Sequence, residues 1–354
     1  MNPLETWDIR RLLVTVGWGK TMKAMLLAAG LGTRLRPVTH WIPKSMMPVL
    51  GVPIIEHNLI QLRGQGFREV IVNLHHMPFQ IIHHLKDGSP WGVKILYSLE
   101  PTIMGTAGAI KKVEEHLGGE TFLVINADTY RSVDLQELLR HHRENPATIT
   151  MLLQENRCLD PDKAVWVDRS GAVVRFLEHI QSEWSQAVPA DFLGVQVMEP
   201  KVFSFIPPHQ PWDVHKLYLR LLNSDSEMKG SLQSGYWKDI GSLTAYRQIH
   251  MDALDRRCPI RIPGSLVREG VWMASEAHME PGVRVEPPVF LGTGTLVREG
   301  ASIGPYAVLG SHCVVGRGAY VAGSIIWDGV HIQGDSFVED LLVSRDFRLP
   351  LPAR

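Results

Sequence analysis

Cysteine is scarce in this chain. Its 354 residues carry three, Cys158, Cys258 and Cys313, too scattered for a disulfide framework and without the paired spacing of a zinc site. That usage suits a reducing cytoplasm. Charge imbalance is missing too: the formal net charge is −1, so neither a nucleic acid nor an acidic membrane is marked as a partner. No apolar run approaches the ~18 residues of a membrane span. The tryptophans form no stripe with lysine and arginine, which removes a nucleic-acid platform. The adjacent pairs His75-His76, His83-His84 and His141-His142 point apart on any helix or strand, poor geometry for one metal ion. Arg10-Arg11 precede too short an apolar run for an export signal, and no small-residue cleavage site follows. Residues 1–21 therefore read as a disordered leader or extension, with Met22 a candidate start.

What is present is concentrated in residues 27–44, LAAGLGTRLRPVTHWIPK. Gly30 and Gly32 leave backbone N–H groups open to phosphate oxygens. Arg34 and Arg36 add fixed charge, and Lys44 adds a compact second cation. The preceding AMLLAAG reads as a buried strand, so the loop falls where ligands sit in open α/β sheets. Neither common phosphate loop fits. Gly19-Lys20-Thr21 mimics the end of a Walker A loop, but Val14 stands where its first glycine belongs, and Leu35 breaks a GxGxxG pattern.

The length suggests two domains. Up to about residue 250, strand-like runs (AMLLAAG, EVIVNL, VKILYSL, TFLVINAD, ATITMLLQ) alternate with helix-like ones (IIEHNLIQLRGQG, PFQIIHHLKDG, DLQELLRHHREN). This predicts an α/β fold with a mostly parallel sheet. After Cys258-Pro259 a six-residue repeat takes over, with aliphatic residues at Val285, Leu291, Val297, Ile303, Leu309, Val315 and Val321 and small residues two places earlier. Met279 extends it backward; Ile326, Ile332 and Val338 continue it after a one-residue slip. Hexads of this kind build a parallel β-helix of roughly three coils, with Cys313 as a core filler. The expected division is a catalytic domain at 22–250, a linker at 251–260, the β-helix at 261–345 and a tail at 346–354.

Two carboxylates complete the pattern. Asp128 closes the apolar strand TFLVINAD, and Asp239 lies in GYWKDIGS. Magnesium prefers such oxygen ligands. GLGTRLRPVT followed by PK, Asn126-Ala127-Asp128, and Tyr236-Trp237-Lys238-Asp239-Ile240-Gly241 together resemble the signatures of the sugar-1-phosphate nucleotidyltransferases. With the hexad domain, the likeness is to the mannose-1-phosphate guanylyltransferase-like group. The resemblance implies a Rossmann-like catalytic domain followed by a left-handed β-helix. It also implies transfer of a nucleotidyl group from an NTP to a sugar 1-phosphate, with release of pyrophosphate. Asp128 and Asp239 would hold Mg2+, and Arg34, Lys44 and Asp128 would be catalytic. Ala28, Ala29, Gly30, Gly32, Thr33, Gly105 and Thr106 would seat the nucleotide. Glu100 can accept from guanine N1–H and N2–H2, which favours GTP. Asn126, Glu178 and Gly194 are the expected sugar contacts, although His179 replaces the family's lysine and Asp191-Phe192-Leu193-Gly194 keeps only the glycine of Asn-x-Gly. Two other readings stand beside this one: a regulatory paralogue that only binds nucleotide sugar, and a hexapeptide acyltransferase using His278, His312 or His331. The β-helix reads as an oligomerisation or regulatory domain.

Overall fold

The computed structural model describes residues 22–155, 164–176, 179–180, 187–224 and 227–353. The leader at 1–21, Cys158 and Glu178 lie outside the described residues. Strand Lys23–Leu27 sits mid-sheet, parallel to Glu69–Leu74 on one side and to Phe122–Asn126 on the other, with Lys94–Leu99 beyond Glu69–Leu74. Each expected strand and helix run contains its element, including helices Ile54–Gly64, Pro78–Leu85 and Leu135–Glu144. Successive side chains leave a strand on opposite faces. Met25 and Val124 therefore pack under helices Gly105–Lys112 and Val214–Leu222, while Leu26 and Ile125 pack under Ile54–Gly64 and Leu135–Glu144. Burial on both faces explains why these strands read as unbroken apolar runs.

Winding reverses between Lys23–Leu27 and Phe122–Asn126, so a crevice opens beyond their carboxyl ends. Past Phe122–Asn126 the sheet turns antiparallel with Val188–Met198, which also pairs with Ile149–Glu155 and Val165–Val167. A separate two-stranded sheet joins Thr129–Arg131 to Trp237–Asp239 and sets Asp239 opposite Thr129.

The hexads form a parallel β-helix with three faces. Along one, His278–Met279, Leu296–Val297, Val314–Val315 and His331–Ile332 stack in order. The slip after Val321 appears in the register: Val289 pairs with Ala307, whereas Val308 pairs with Ile325, one residue closer. Four coils are present rather than three. The first, opening at Val271–Met273, lacks the glycine that often follows the aliphatic position in later hexads: Glu280 follows Met279 and Glu286 follows Val285. The ends also differ from expectation. Helix Leu243–Leu254 and the buried Cys258 and Ile260 occupy the presumed linker, and Arg348–Pro350 pairs antiparallel with Leu341–Val343 in the presumed tail. Cys313 is fully buried, and burial pushes its thiol up to about 11, so it is inert packing.

The two parts share a core. Phe290, Val308, Ile325 and Leu342 are successive partners on one face of the β-helix, none more than 3% exposed. They meet Leu35, Val38, Met47, Val49 and Tyr246 of the catalytic part. His57 and His250 are buried beside this joint, and burial lowers them from 6.5 to about 4 and about 3 respectively. Both rings fold neutral. As pH falls from about 6.5 towards 4, the unfolded chain takes up protons that the folded chain refuses. Stability is then lost by up to about 1.4 kcal/mol per pH unit for each ring. Denaturant titrations at stepped pH should show this slope, and His250→Phe should flatten it; an unchanged slope in that variant would count against the assignment.

Candidate active site

The chain leaves strand Lys23–Leu27 into a loop held at its base by the Ala28 N–H, which donates to Asn73 Oδ1 at 2.9 Å. The amides of Gly30, Leu31, Gly32 and Thr33 have no acceptor among the described residues. Gly30 is exposed, with open space where a Cβ would stand. Gly32 differs. Its φ is 61°, and a Cβ there would lie 2.7 Å from Thr39 Cγ2 and 3.2 Å from Lys44 Cβ. Glycine at this position lets the loop close onto the segment that carries Lys44, and Thr39 Oγ1 donates to the Gly32 carbonyl at 3.0 Å.

Lys44 is 8% exposed, and its ammonium donates to Asp128 Oδ2 at 2.6 Å and to Asp239 Oδ1 at 2.7 Å. Arg34 lies 3.6 Å from Asp239 Oδ2, with its side chain 73% exposed. Residues 84 and 195 positions apart from Lys44 thus converge on one nitrogen. Strand pairing accounts for this, helped by the Ile240 N–H donating to the Asp128 carbonyl at 3.4 Å. Asp239 is spared a capping role because Ser242 caps helix Leu243–Leu254. A Cβ on Gly241 would lie 2.8 Å from both Arg34 Nη2 and Asp239 Oδ2. The resulting cleft is lined by the loop from Leu27 to Leu35 with Lys44, Ser45, Asp128 and Gly241.

The ammonium also tests whether a metal would fit. One compact cation satisfies a carboxylate oxygen of each aspartate at once, so the pair suits a hard divalent ion. Among the described residues no cluster of three or more metal-ligating side chains occurs, which leaves other positions around such an ion to phosphate and water.

The turn bearing Asp128 is gripped from below by residues the sequence did not reveal. Arg131, 1% exposed, donates to the carbonyls of Asn126 at 2.7 Å and Thr129 at 3.1 Å and to Asn58 Oδ1 at 2.9 Å. Asn58 donates to the carbonyls of Ala127 and Thr129 at 3.2 Å each. Burial lowers the Arg131 guanidinium to about 10, which leaves it charged at neutral pH. Asn73 did carry a signal: like Asn126, it is a polar residue near the end of an apolar strand.

Other expected contacts stand differently. Glu100 is buried at 4% exposure; Oε1 accepts from Asn73 Nδ2 at 2.8 Å and Oε2 from the Met104 N–H at 2.9 Å. Each of its oxygens is already engaged within the protein, which supports a scaffolding role beside the expected contact with the base. Gly105 has a φ of 65°, and its closest approach is to the Trp212 carbonyl, 2.7 Å from where a Cβ would sit. It and the adjacent Thr106 open helix Gly105–Lys112, outside the cleft lining. Asn126 and Gly194 are brought together: a Cβ on Gly194, at φ 71°, would lie 2.9 Å from Asn126 Nδ2. Glu178 lies outside the described residues. His278 and His331 are exposed on one β-helix face, away from this cleft.

The nucleotidyl transferase family profile matches residues 23–256, and that of the GMPPB C-terminal domain matches residues 285–350. The chain is 32% identical to UTP–glucose-1-phosphate uridylyltransferase of Synechocystis, over 91% of this chain and 87% of that protein. It is 31% identical to mannose-1-phosphate guanylyltransferase of Mycobacterium tuberculosis, over 89% of this chain and 82% of the relative. HddC from Yersinia pseudotuberculosis, solved with GMP-PN, shares the fold with a TM-score of 0.56 at 24% identity, over 66% of this chain and all of that one. Among the described residues no helix is long and apolar enough to cross a membrane.

Glu100→Gln separates scaffolding from base reading. It keeps the acceptor for Asn73 but turns an N–H2 group on the Met104 N–H. Stability to denaturant should fall by about 1–3 kcal/mol, while the GTP-to-UTP preference stays as in the wild type. A changed preference without lost stability would restore the direct contact.

Proposed function

Since the chain belongs to the nucleotidyl transferase family and moves a nucleotidyl group onto a sugar phosphate, we propose that it joins GTP and mannose 1-phosphate to give GDP-mannose and pyrophosphate. The observation that carries the catalytic reading is the convergence of Lys44, Asp128 and Asp239 at the mouth of a loop with unpaired amides. Those amides would donate to the triphosphate oxygens. Asp128 and Asp239 would hold Mg2+, which when bound supplies neutralising charge to the phosphates. Lys44 would stabilise charge developing on the α-phosphoryl group, and the exposed Arg34 would stabilise the departing pyrophosphate. The nucleophile is a phosphate oxygen of the sugar 1-phosphate, already ionised near neutral pH, so no general base is called for. Catalysis then consists of positioning and charge stabilisation.

What supports the guanine and mannose assignment is the GMPPB C-terminal match and the Mycobacterium tuberculosis relative. The Synechocystis relative favours UTP with glucose 1-phosphate as the second reading. Asn126 and Gly194 would face the sugar. The reading places the enzyme in the cytoplasm, where NTPs are made. It takes the β-helix as a self-association surface, supported by the stacked pair Tyr320 and Phe337, centroids 4.7 Å apart, the latter 69% exposed.

Pyrophosphate release, measured for four nucleotides against several sugar 1-phosphates with Mg2+, tests the assignment. GTP with mannose 1-phosphate should give the highest kcat/KM, and UTP with glucose 1-phosphate winning would install the second reading. Asp128→Asn should lower kcat by about 100-fold or more. No release from any pair would leave an effector-binding role instead.

A further inference from the structure

Lys44 does not stand on the large sheet. It opens the tight turn Lys44–Met46, which leads into a short hairpin of Pro48–Val49 and Val52–Pro53. The hairpin tip is driven into the joint with the β-helix. Leu50 is fully buried at a φ of 50°, in the left-handed region that leucine rarely adopts. A conformation of that kind persists only where its surroundings hold it.

One of the groups that hold the hairpin is Tyr246, fully buried in helix Leu243–Leu254. Its hydroxyl donates to the Pro48 carbonyl at 2.5 Å and accepts from the Trp327 indole N–H at 3.0 Å. Trp327 follows β-helix strand Ile325–Ile326, and its ring packs edge-on against Phe347. One hydroxyl thus links a coil of the β-helix to the turn that carries Lys44. Tyr246 rides on the helix that begins just after Asp239, so it is tied to both sides of the charge cluster. Hydrogen bonds in series strengthen one another inside a protein.

We infer that the β-helix is a working part of the transfer site: through Trp327 and Tyr246 it fixes Lys44 relative to Asp128 and Asp239. Tyr246 and Trp327 are positioning residues; neither lines the cleft. The inference rests on the role given to Lys44 above. Other contacts cross the same joint without reaching Pro48. The Tyr306 hydroxyl donates to Asp255 Oδ1 at 2.9 Å beyond the far end of the helix, which makes Tyr306 a control for loosening of the joint as a whole.

The test compares Tyr246→Phe, Trp327→Phe, their double variant and Tyr306→Phe in the full chain. It reads kcat, KM for both substrates, thermal unfolding, and hydrogen exchange of the peptide spanning 44–53. Tyr246→Phe should lower kcat about three- to tenfold, the reach of one or two net hydrogen bonds, with both KM values little changed. Exchange in 44–53 should rise. Trp327→Phe should move both readouts the same way but less, and the double variant should match Tyr246→Phe because the bonds lie in series. Tyr306→Phe should lower the unfolding temperature yet leave kcat and the exchange alone. An unchanged kcat and exchange in Tyr246→Phe would overturn the inference, and so would an equal loss of kcat in Tyr306→Phe. Should Tyr246→Phe fail to fold, Trp327→Phe carries the same comparison. Wild-type protein that releases no pyrophosphate would instead defeat the functional reading, and exchange on the free protein would still decide whether the β-helix holds the turn.

Discussion

Two carboxylates held against one ammonium are the constraint on which the rest of the site depends. Asp128 and Asp239 carry like charge and would repel if brought together without a cation. The chain accepts that repulsion because backbone pairing sets Asp239 opposite Thr129, and Lys44 bridges the two carboxylates and offsets one of their two charges. With Arg34 close by, two positive groups face two negative ones. A cleft balanced in this way has no strong field of its own. A triphosphate arriving with a divalent ion would give Lys44 a new partner and the aspartates a harder one.

Holding that arrangement takes buried polar groups away from the cleft. Arg131 and Asn58 satisfy the carbonyls of the turn that presents Asp128, while Asn73 and Glu100 join the loop after strand Lys23–Leu27 to the turn before Gly105. Such groups are costly to bury unpaired, and here they are bonded to the backbone whose shape matters. This is why Glu100 is ambiguous from sequence. A carboxylate near a glycine turn looks the same whether it meets a purine or a main-chain amide. The glycines show a similar ambiguity. Gly30 opens to solvent, Gly32 admits the Lys44 segment, and Gly105 admits the Trp212 backbone. Sequence marks each as a place of close approach without saying what approaches.

Periodicity made more of the architecture legible than of the site. Apolar runs buried on both faces announced the parallel strands, and the hexads announced the β-helix down to the slip after Val321. The distance in sequence between Lys44, Asp128 and Asp239 did not hide them, since each sits in a recognisable motif, but their meeting at one nitrogen depends on a strand pair that no local pattern specifies. The two ends of the β-helix were least legible. Arg348–Pro350 lacks the hexad because it runs antiparallel as a cover on the last coil.

The docking of the β-helix was written in the sequence but is readable only with the coil in view. In a hexad the aliphatic position points inward, and its neighbours in the strand face solvent unless something covers them. Phe290, Val308, Ile325 and Leu342 occupy such outward positions, one per coil on a single face, and all are apolar. A solvated face would not favour four large apolar residues in register. Their burial ties the β-helix to the turns between Leu35 and Leu50, the same turns that present Lys44. The core that stabilises the joint and the geometry that gathers the charge cluster are therefore properties of one packing arrangement. A substitution at Trp327, which reaches the Pro48 carbonyl through Tyr246, would act on the cleft through packing and not through any ligand.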